Sequence, residues 1–296
     1  PDGVFARKVA GWLDTMSRSK KPFFLGAGFR RPHAPYAAPK KYFDLFPADK
    51  MPLPDTKPSD FDKVLPAALN HLPPDKPLTE LEVRQQRAAY YACASFMDAQ
   101  LGVVLDAMDR GKLWDNTAVV FMGDNGYLLG EHGGMWHKSS LFEPCPRIPL
   151  VVAAPGIRAA GRHSQRLVEL VDLYPTLAQV CGLTPPANLE GYSLRPLLDD
   201  PALPWKKAVF SMQGRGKQRT EAAKEIEFLG KSVRTDRWRY TEWDEGRKGI
   251  ELYDHVADPR EVNSLAGNPT FDKVRTELSA MLRAGWRAAL PPGAKP

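Results

Sequence analysis

The sequence of 296 residues is 43% hydrophobic and 26% charged, which is typical of a globular protein and argues against a disordered or collagen-like chain. It contains no run of about 18 apolar residues, so no membrane-spanning helix is predicted. The net charge of +6 would suit an anionic ligand, but it is spread along the chain and indicates solubility instead, and three scattered cysteines do not form a disulfide framework.

The first part of the chain alternates helix, strand and irregular segments. Apolar residues recur at three- and four-residue steps over 2–18, which predicts an amphipathic helix. Residues 21–28 (KPFFLGAG) are predicted to form a short buried strand. The proline-rich stretch 29–78 has no sustained period and predicts a long irregular excursion. The sequence TELE then predicts a helix start, because Thr79 and Glu82 match a capping box.

Two further strands and a helix continue this alternation. TAVVFM at 117–122 and RIPLVVAAPG at 147–156 are predicted strands, and 166–183 is a predicted helix that proline kinks or restarts. Helices that alternate with continuous apolar strands predict an α/β domain with a largely parallel sheet flanked by helices. We assign this domain to residues 1–204.

The pattern changes after about residue 205. AVFSMQ, KSVRTDRWRYTEW and IELYDH predict strands of an antiparallel meander, and a last amphipathic helix is predicted near 271–286. Residues 205–296 are therefore predicted to form a smaller C-terminal antiparallel α+β subdomain. Three strands make a thin sheet for the long helices of the first domain, so we expect its N-terminal strands to lie outside this polypeptide.

The segment GDNGYLLGEHGGMWHKSS at 123–140 concentrates polar chemistry directly behind a strand. Ligands of open α/β sheets bind at the carboxyl ends of strands, and the oxygens of Asp124 and Asn125 suit Ca²⁺ or Mg²⁺. An Asp-Asn-Gly turn between strands is the alternative. A zinc site through His132 and His137 is another, disfavoured because no third ligand is near. Lys138 beside a divalent cation indicates a shared anion, such as sulfate or phosphate.

The end of the first predicted strand carries a second polar group. FFLGAG runs into FRRPHAPY, which places Arg31 and His33 at a carboxyl edge of the predicted sheet. A loop histidine packed between prolines is the alternative for His33. Because two strand ends offer acid, amide, lysine and histidine together, we expect Asp124, Asn125, Lys138 and His33 to converge on one site.

These segments carry a family resemblance. KPFFLGAGFRRPHAPYAAPKKYFDLFP together with GDNGYLLGEHGGMWHKSSLFEPCPRIPLVVAAPG resembles the type I sulfatases of the alkaline-phosphatase superfamily, in particular iduronate-2-sulfatase-like sequences. LVELVDLYPTLAQVCGL and VRTDRWRYTEW…ELYDHVADPREVNSLA resemble the following helix and the C-terminal subdomain of the same family. The resemblance covers nearly the whole chain and implies hydrolysis of a sulfate ester.

The resemblance also implies roles for individual residues. Asp124 and Asn125 look like calcium ligands, with Mg²⁺ as the other candidate ion. Lys138 looks like the lysine that bridges sulfate and nucleophile, and His33 like the histidine at the ester oxygen. Three residues are candidates for substrate binding, with loop bracing as the alternative for the last of them: Tyr127, Arg31 and His132.

The sequence departs from the family pattern in two places. GEHGGMWHK is one residue longer than the common form, which affects the placement of Trp136 and His137. More importantly, the C/S-x-P-x-R motif, whose Cys or Ser becomes the formylglycine nucleophile, does not occur in the 296 residues. CPRIP, which begins at Cys145, differs because its arginine follows the first proline directly. The resemblance therefore implies that formylglycine and the other metal ligands belong to a missing N-terminal part.

The sequence supports one main hypothesis and two alternatives. The main hypothesis is a sulfatase, active on a sulfated sugar or another small sulfate ester when full length, with this chain alone inactive. A phosphodiesterase or phosphonate monoester hydrolase of the same superfamily, or a non-catalytic fragment or binding module, remain open. The expected partners are the sulfated substrate and the missing N-terminal part, with no nucleic acid and no membrane. The resemblance implies a periplasmic, extracellular or lysosomal location.

Overall fold

The computed structural model describes residues 1–19, 21–69, 78–218 and 224–294. Their contacts divide into two compact units, of which the first comprises Pro1–Asp55 and Pro73–Thr117, and the second comprises Thr56–Leu72 and Ala118–Pro296. None of the helices in the described ranges combines the length and hydropathy that crossing a bilayer requires. The predicted domain boundary at residue 204 stays a prediction.

Helices build the first unit. Its elements are α1 (Asp2–Met16), α2 (Lys40–Phe43), a 3-10 helix (Ala48–Lys50) and α3 (Glu80–Arg110). Helix α1 packs along α3 and confirms the predicted helix, although Val9 and Leu13 of its apolar residues are buried while Val4 and Trp12 are exposed. The predicted capping box is confirmed, because the Thr79 hydroxyl accepts from the Glu82 amide (3.3 Å) and a Glu82 carboxylate oxygen accepts from the Thr79 amide (2.7 Å).

The predicted strand at 21–28 is wrong for the described chain. These residues carry no strand assignment, and the Phe24 side chain is 87% exposed. A strand exists only where a neighbour completes its backbone hydrogen bonds, and none of the strands in the described ranges pairs with this segment. The apolar residues of 21–28 are suited to a sheet. Their pattern does not show whether a neighbouring strand is present to pair with them.

After a 3-10 helix (Pro58–Lys63), the second unit continues with a strand pair and an inserted hairpin. In chain order the elements are β1 (Val119–Met122), β2 (Leu128–Leu129), α4 (Glu131–Gly134), β3 (Trp136–His137) and β4 (Leu150–Ala153). Strands β1 and β4 pair antiparallel, with Val120 opposite Val152. The alternation of elements favoured parallel neighbours, but a parallel pair needs a long crossover, and the chain between these strands forms only the β2–β3 hairpin with the one-turn α4.

The helix predicted over 166–183 begins later and in two steps. A 3-10 helix covers Leu170–Asp172, and α5 follows over Leu173–Val180. Pro175 lies in the first turn of α5, where the missing amide proton breaks no helical hydrogen bond. The kink or restart predicted at this proline is not observed, because the change from 3-10 helix to α-helix occurs two residues earlier, at Leu173. A short helix α6 (Arg195–Asp199) follows.

The predicted antiparallel meander is present, but it has four strands, because KSVRTDRWRYTEW forms parts of two strands rather than one. Its strands are β5 (Ala208–Gln218), β6 (Lys224–Thr235), β7 (Trp238–Trp243) and β8 (Ile250–Asp254), paired in chain order. The amphipathic helix α7 (Asp272–Ala284) packs against it. Val233, Tyr240, Leu252 and Leu278 form the core between sheet and helix. The described elements thus form an α/β arrangement followed by the predicted C-terminal antiparallel α+β layer.

Candidate functional site

The segment from Gly123 to Tyr127 is a loop pinned by backbone bonds at the end of β1. The amides of Gly123, Gly126 and Tyr127 donate to the carbonyls of Pro149 (3.1 Å), Cys145 (2.8 Å) and Pro144 (2.9 Å). A Cβ at Gly126 would lie 1.9 Å from the Pro144 carbonyl oxygen, so only glycine fits there. The loop leaves Asp124 and Asn125 exposed on a fixed backbone.

The β2–β3 hairpin brings Lys138 back beside this loop. Leu128 pairs with His137 and Leu129 with Trp136. The ladder ends at the Leu128–His137 pair, so Lys138 directly follows the last paired residue of β3, and Tyr127 directly precedes the first paired residue of β2. The structure therefore places Asp124, Asn125, Tyr127 and Lys138 at the base of one hairpin.

The backbone on both sides of Lys138 is in the left-handed region. His137 has φ 70° and Ser139 has φ 68°. Non-glycine residues pay roughly 1–2 kcal/mol for this conformation, and they keep it only where the surroundings enforce it. Paired left-handed residues that flank a lysine indicate that its direction is set by the fold. No glycine marks these positions, so this feature escaped the sequence analysis.

His137 is a candidate functional residue that the sequence analysis considered only as a zinc ligand. Its side chain is exposed, its Nδ1 lies 2.6 Å from the Tyr127 hydroxyl, and the two rings meet edge to face at 5.6 Å between centroids. The bond fixes the orientation of both rings next to Lys138. The sequence did contain one signal that pointed to His137. The extra residue in GEHGGMWHK makes the placement of His137, the residue before Lys138, uncertain.

His132 lies on the interior side of the hairpin. Its side chain is 3% exposed and stacks on Phe142, with ring centroids 3.8 Å apart. Burial is the largest influence on His132 and lowers its pKa below the ordinary value, so the ring is neutral near pH 7. These contacts favour the alternative in which His132 only braces the loop. A contact between His132 and the substrate stays a prediction.

His33 and Arg31 belong to the first unit and were predicted to meet the same site. The His33 side chain is exposed, and its Nδ1 contacts the Ala34 carbonyl. Arg31 donates through Nε to the Ala37 carbonyl (2.8 Å) and through Nη1 to the His33 carbonyl (2.7 Å). Arg31 thus shapes the loop that presents His33. The convergence of these two residues with Asp124 and Lys138 stays a prediction.

Cys145 is poorly suited to act as a nucleophile. Its side chain is 6% exposed, and Sγ lies 3.9 Å from the His137 carbonyl. Burial raises the pKa of the Cys145 thiol to about 11, so the reactive thiolate is nearly absent at neutral pH. The thiol instead contacts the backbone of the hairpin. The interpretation of CPRIP as unrelated to the nucleophile motif agrees with this geometry.

A buried ion network lies where the segment after Lys138 meets the C-terminal sheet. The Arg239 guanidinium pairs with the carboxylates of Glu143 and Glu261, and both Arg239 and Glu261 are almost completely buried. A Glu261 carboxylate oxygen also accepts from the Glu143 amide (2.7 Å). Burial raises the pKa of Glu261, but Arg239, His255 and the Glu143 amide outweigh this effect and lower it to about 2.

Three side chains of the same network have the spacing of metal ligands, but they are already paired with protein cations. Glu143, His255 and Glu261 place ligand atoms within 4.8 Å of one another. Arg239 already supplies their positive charge, and Arg234 Nη2 lies 2.9 Å from His255 Nδ1. Arginine can only donate, so this bond makes Nδ1 the acceptor and Nε2 the donor towards Glu261 (2.7 Å). The cluster is therefore a charge-paired structural network.

The loop at Asp124 fits a hard cation better. A carboxylate and an amide oxygen stand exposed on a pinned backbone, and such oxygens are the ligands that Ca²⁺ and Mg²⁺ prefer. Two protein ligands make only part of a site that takes six to eight oxygens for Ca²⁺, in rough numbers. The residues present fit one edge of a calcium or magnesium site.

Comparison with family profiles and curated proteins points to sulfatases. The profile of the Sulfatase family matches residues 1–183, and that of N-sulphoglucosamine sulphohydrolase, C-terminal, matches residues 130–287. A sulfatase of Formosa agariphila is 33% identical over 91% of this chain and 52% of its own length. Iduronate 2-sulfatase of Mus musculus is 31% identical over 82% of this chain and 55% of its own length. The chain spans about half the length of these relatives.

Solved structures show the same fold. A phosphonate monoester hydrolase of Silicibacter pomeroyi matches with a TM-score of 0.80 and 25% identity, over 95% of this chain and 60% of that one. A protein solved in complex with its substrate D-glucosamine-2-N,6-O-disulfate matches with a TM-score of 0.76 and 21% identity, over 96% of this chain and 69% of that one. The predicted fold class, α/β with a smaller C-terminal antiparallel subdomain, is confirmed.

Proposed function

Because the chain belongs to the sulfatase family, we propose that it carries one half of the active site of an enzyme that hydrolyses sulfate esters. The observation that supports this most directly is the β2–β3 hairpin, which follows the Asp124–Asn125 loop and ends at His137, immediately before Lys138. A cation and an ammonium group on one side of a pocket suit the oxygens of a bound sulfate.

Each predicted residue has a distinct part in this proposal. Asp124 and Asn125 would hold Ca²⁺ or Mg²⁺, which supplies positive charge to the sulfate oxygens. Lys138 donates a charge-assisted hydrogen bond to the sulfate, where negative charge grows as the ester bond breaks. His33 holds the proton that the departing ester oxygen requires. A formylglycine nucleophile would come from sequence outside these 296 residues, since they contain no C/S-x-P-x-R.

We further propose a sulfated sugar as the substrate. The support is the likeness to iduronate 2-sulfatase, whose name specifies a sugar acid. Tyr127 and His137, which hydrogen-bond to each other beside Lys138, present an aromatic and polar edge suited to a sugar. A periplasmic, extracellular or lysosomal location is proposed on the likeness to sulfatases alone.

A phosphonate monoester hydrolase is the second candidate. The match to the Silicibacter pomeroyi enzyme favours it, because that protein shares the fold over 95% of this chain. Sulfate and phosphonate esters both carry negatively charged oxygens around a tetrahedral sulfur or phosphorus atom. The proposed cation and Lys138 could therefore bind either group. The two candidates differ in whether the completed site hydrolyses sulfate esters or phosphonate monoesters faster.

We expect the natural full-length protein to hydrolyse 4-nitrocatechol sulfate faster than p-nitrophenyl phenylphosphonate, and this chain alone to hydrolyse neither. The reason is that the 296 residues contain no C/S-x-P-x-R motif, and covalent catalysis needs the nucleophile that this motif would supply. Release of the two chromophores by both proteins, followed at equal concentrations, tests this expectation. Faster turnover of the phosphonate would favour the second candidate. Turnover of the sulfate by the isolated chain would falsify the assignment of the nucleophile to another segment.

We also expect this chain to bind Ca²⁺ only weakly. Asp124 is the one carboxylate of the proposed ligand pair, and about 10⁻⁴–10⁻³ M is the weak end of known calcium sites. Calorimetric titration of the chain, with Asp124→Ala and the exposed Asp115→Ala as matched variants, measures the affinity. Stoichiometric binding at micromolar affinity that only Asp124→Ala abolishes would show that these residues form a site by themselves, and would support the binding-module hypothesis.

A further inference from the structure

Arg215 reaches from the C-terminal sheet to the backbone next to Lys138. It lies in β5, at the irregularity where the register with β6 shifts between Arg215 and Gly216. Its Nη1 donates to the carbonyl of Ser139 at 2.9 Å. Ser139 directly follows Lys138 in the chain and has φ 68°. An arginine 76 residues away in sequence therefore bonds the strained backbone after the lysine.

The other end of the same guanidinium is fixed in the core. Nε and Nη2 donate to the carbonyls of Ala67 (3.0 Å) and Ala68 (2.9 Å), which belong to a buried apolar cluster. The guanidinium carbon lies 4.7 Å from the ring centroid of Trp243, which is fully buried. Three bonds and a stacked ring leave the planar group little freedom. Arg215 is thus a rigid connection rather than a mobile surface cation.

The hydrogen-bond acceptors of Arg215 indicate that its role is not to form a salt bridge. All three hydrogen-bond acceptors are backbone carbonyls, and no carboxylate is among them. Burial is the largest influence on Arg215 and lowers its pKa to about 10, so it stays charged at neutral pH. A lysine cannot bridge three carbonyls in one plane, whereas the guanidinium fork can.

We propose that Arg215 is a positioning residue for Lys138, which holds the Ser139 carbonyl and so fixes the direction of the lysine. The β2–β3 ladder fixes His137 on the other side, so both neighbours of Lys138 are held. The inference rests on the proposed function, because the direction of Lys138 matters for catalysis only if this side chain grips the sulfate.

The test compares Arg215→Met and Arg215→Lys with the matched control Arg247→Met in the natural full-length protein. Arg247 lies in the turn after β7 and pairs only with Asp244 and Glu245 among its ion-pair partners in the described residues. Hydrogen exchange of a peptide covering 136–142 is the first readout. We expect about 10-fold faster exchange there in Arg215→Met, because a charge-assisted bond is lost, and an intermediate increase in Arg215→Lys.

Exchange in α7 separates positioning from general destabilisation. We expect α7 to exchange at the wild-type rate in both Arg215 variants, and the 136–142 peptide to be unchanged in Arg247→Met. Unchanged exchange of 136–142 in Arg215→Met would overturn the proposal. Equal acceleration of 136–142 and α7 would overturn it too, because Arg215 would then only stabilise the sheet. If Arg215→Met does not fold, the same two comparisons in Arg215→Lys decide.

Kinetics form the second readout and separate this inference from the proposed function. With 4-nitrocatechol sulfate we expect kcat to fall about 10- to 100-fold in Arg215→Met while KM changes little, since a misplaced catalytic group costs rate more than binding. Absence of sulfate turnover in the wild-type protein would overturn the proposed function and leave the exchange result to decide whether Arg215 holds the loop. Wild-type kcat in an Arg215→Met variant whose 136–142 peptide exchanges faster would overturn the positioning role.

Discussion

Replacing Glu261 with glutamine is expected to lower the free energy of unfolding by about 3–5 kcal/mol, the range measured when one partner of a buried ion pair is removed. Glu261 is 1% exposed and accepts from Arg239, from His255 and from the Glu143 amide. Glutamine has the same shape as glutamate, but its side-chain amide replaces the carboxylate that accepts from these three donors. Arg239 also loses one of its two carboxylate partners. Urea unfolding of wild type and variant measures the loss.

Glu245→Gln is the matched control for Glu261→Gln. Both glutamates have a left-handed backbone, with φ 56° at Glu245 and 58° at Glu261, but Glu245 is exposed and pairs only with Arg247 among the ion pairs of the described chain. We expect the control to change stability by less than about 0.5 kcal/mol, as surface substitutions do. Equal losses in both variants would contradict a network centred on Glu261.

The pH dependence of this network follows from the depressed pKa of Glu261. Its folded pKa of about 2 lies below the ordinary 4.5, so its contribution is complete above pH 4.5 and is lost as pH falls towards 2. The stability difference between wild type and Glu261→Gln is therefore expected to be constant above about pH 5 and to shrink below it. A difference that persists unchanged at pH 3 would contradict the charge-based account.

Replacing Lys138 with alanine is expected to lower kcat of the natural full-length protein about 10²–10³-fold on 4-nitrocatechol sulfate, the loss known for one preorganised donor to a developing negative charge. The reason is the position of Lys138 at the base of the hairpin, between two left-handed residues. Steady-state kinetics of the variant measure the effect on kcat and KM separately.

Lys231→Ala is the matched control, because Lys231 is exposed on β6 in the same unit. We expect its kcat to equal that of wild type. Equal kcat in Lys138→Ala and Lys231→Ala would contradict the role assigned to Lys138.

Local rules predicted the elements that depend on neighbouring residues. The capping box at Thr79 was predictable because it involves contacts within a single turn. The run VRTDRWRYTEW was predicted to lie within one strand, but it folds as a hairpin whose turn lies at Asp236–Arg237. Its alternation continues across a turn without glycine, so no residue marked the reversal.

The candidate site was predictable in its residues but not in what holds them. Asp124, Asn125 and Lys138 were identified because their chemistry is concentrated within 123–140. The contact of Arg215 with the Ser139 carbonyl and that of Glu261 with the Glu143 amide join residues 76 and 118 positions apart. Such contacts depend on how the sheet packs, and no local pattern announces them.

A double-mutant cycle of Asp124→Ala and Lys138→Ala, read as kcat/KM of the natural full-length protein on 4-nitrocatechol sulfate, measures whether Asp124 and Lys138 act on the same sulfate group. If the cation held by Asp124 and the Lys138 ammonium act on one sulfate group, their contributions are coupled. The account predicts that the double variant loses clearly less activity than the product of the two single losses. Single losses that multiply, as for independent sites, would contradict a shared anion site at the base of this hairpin.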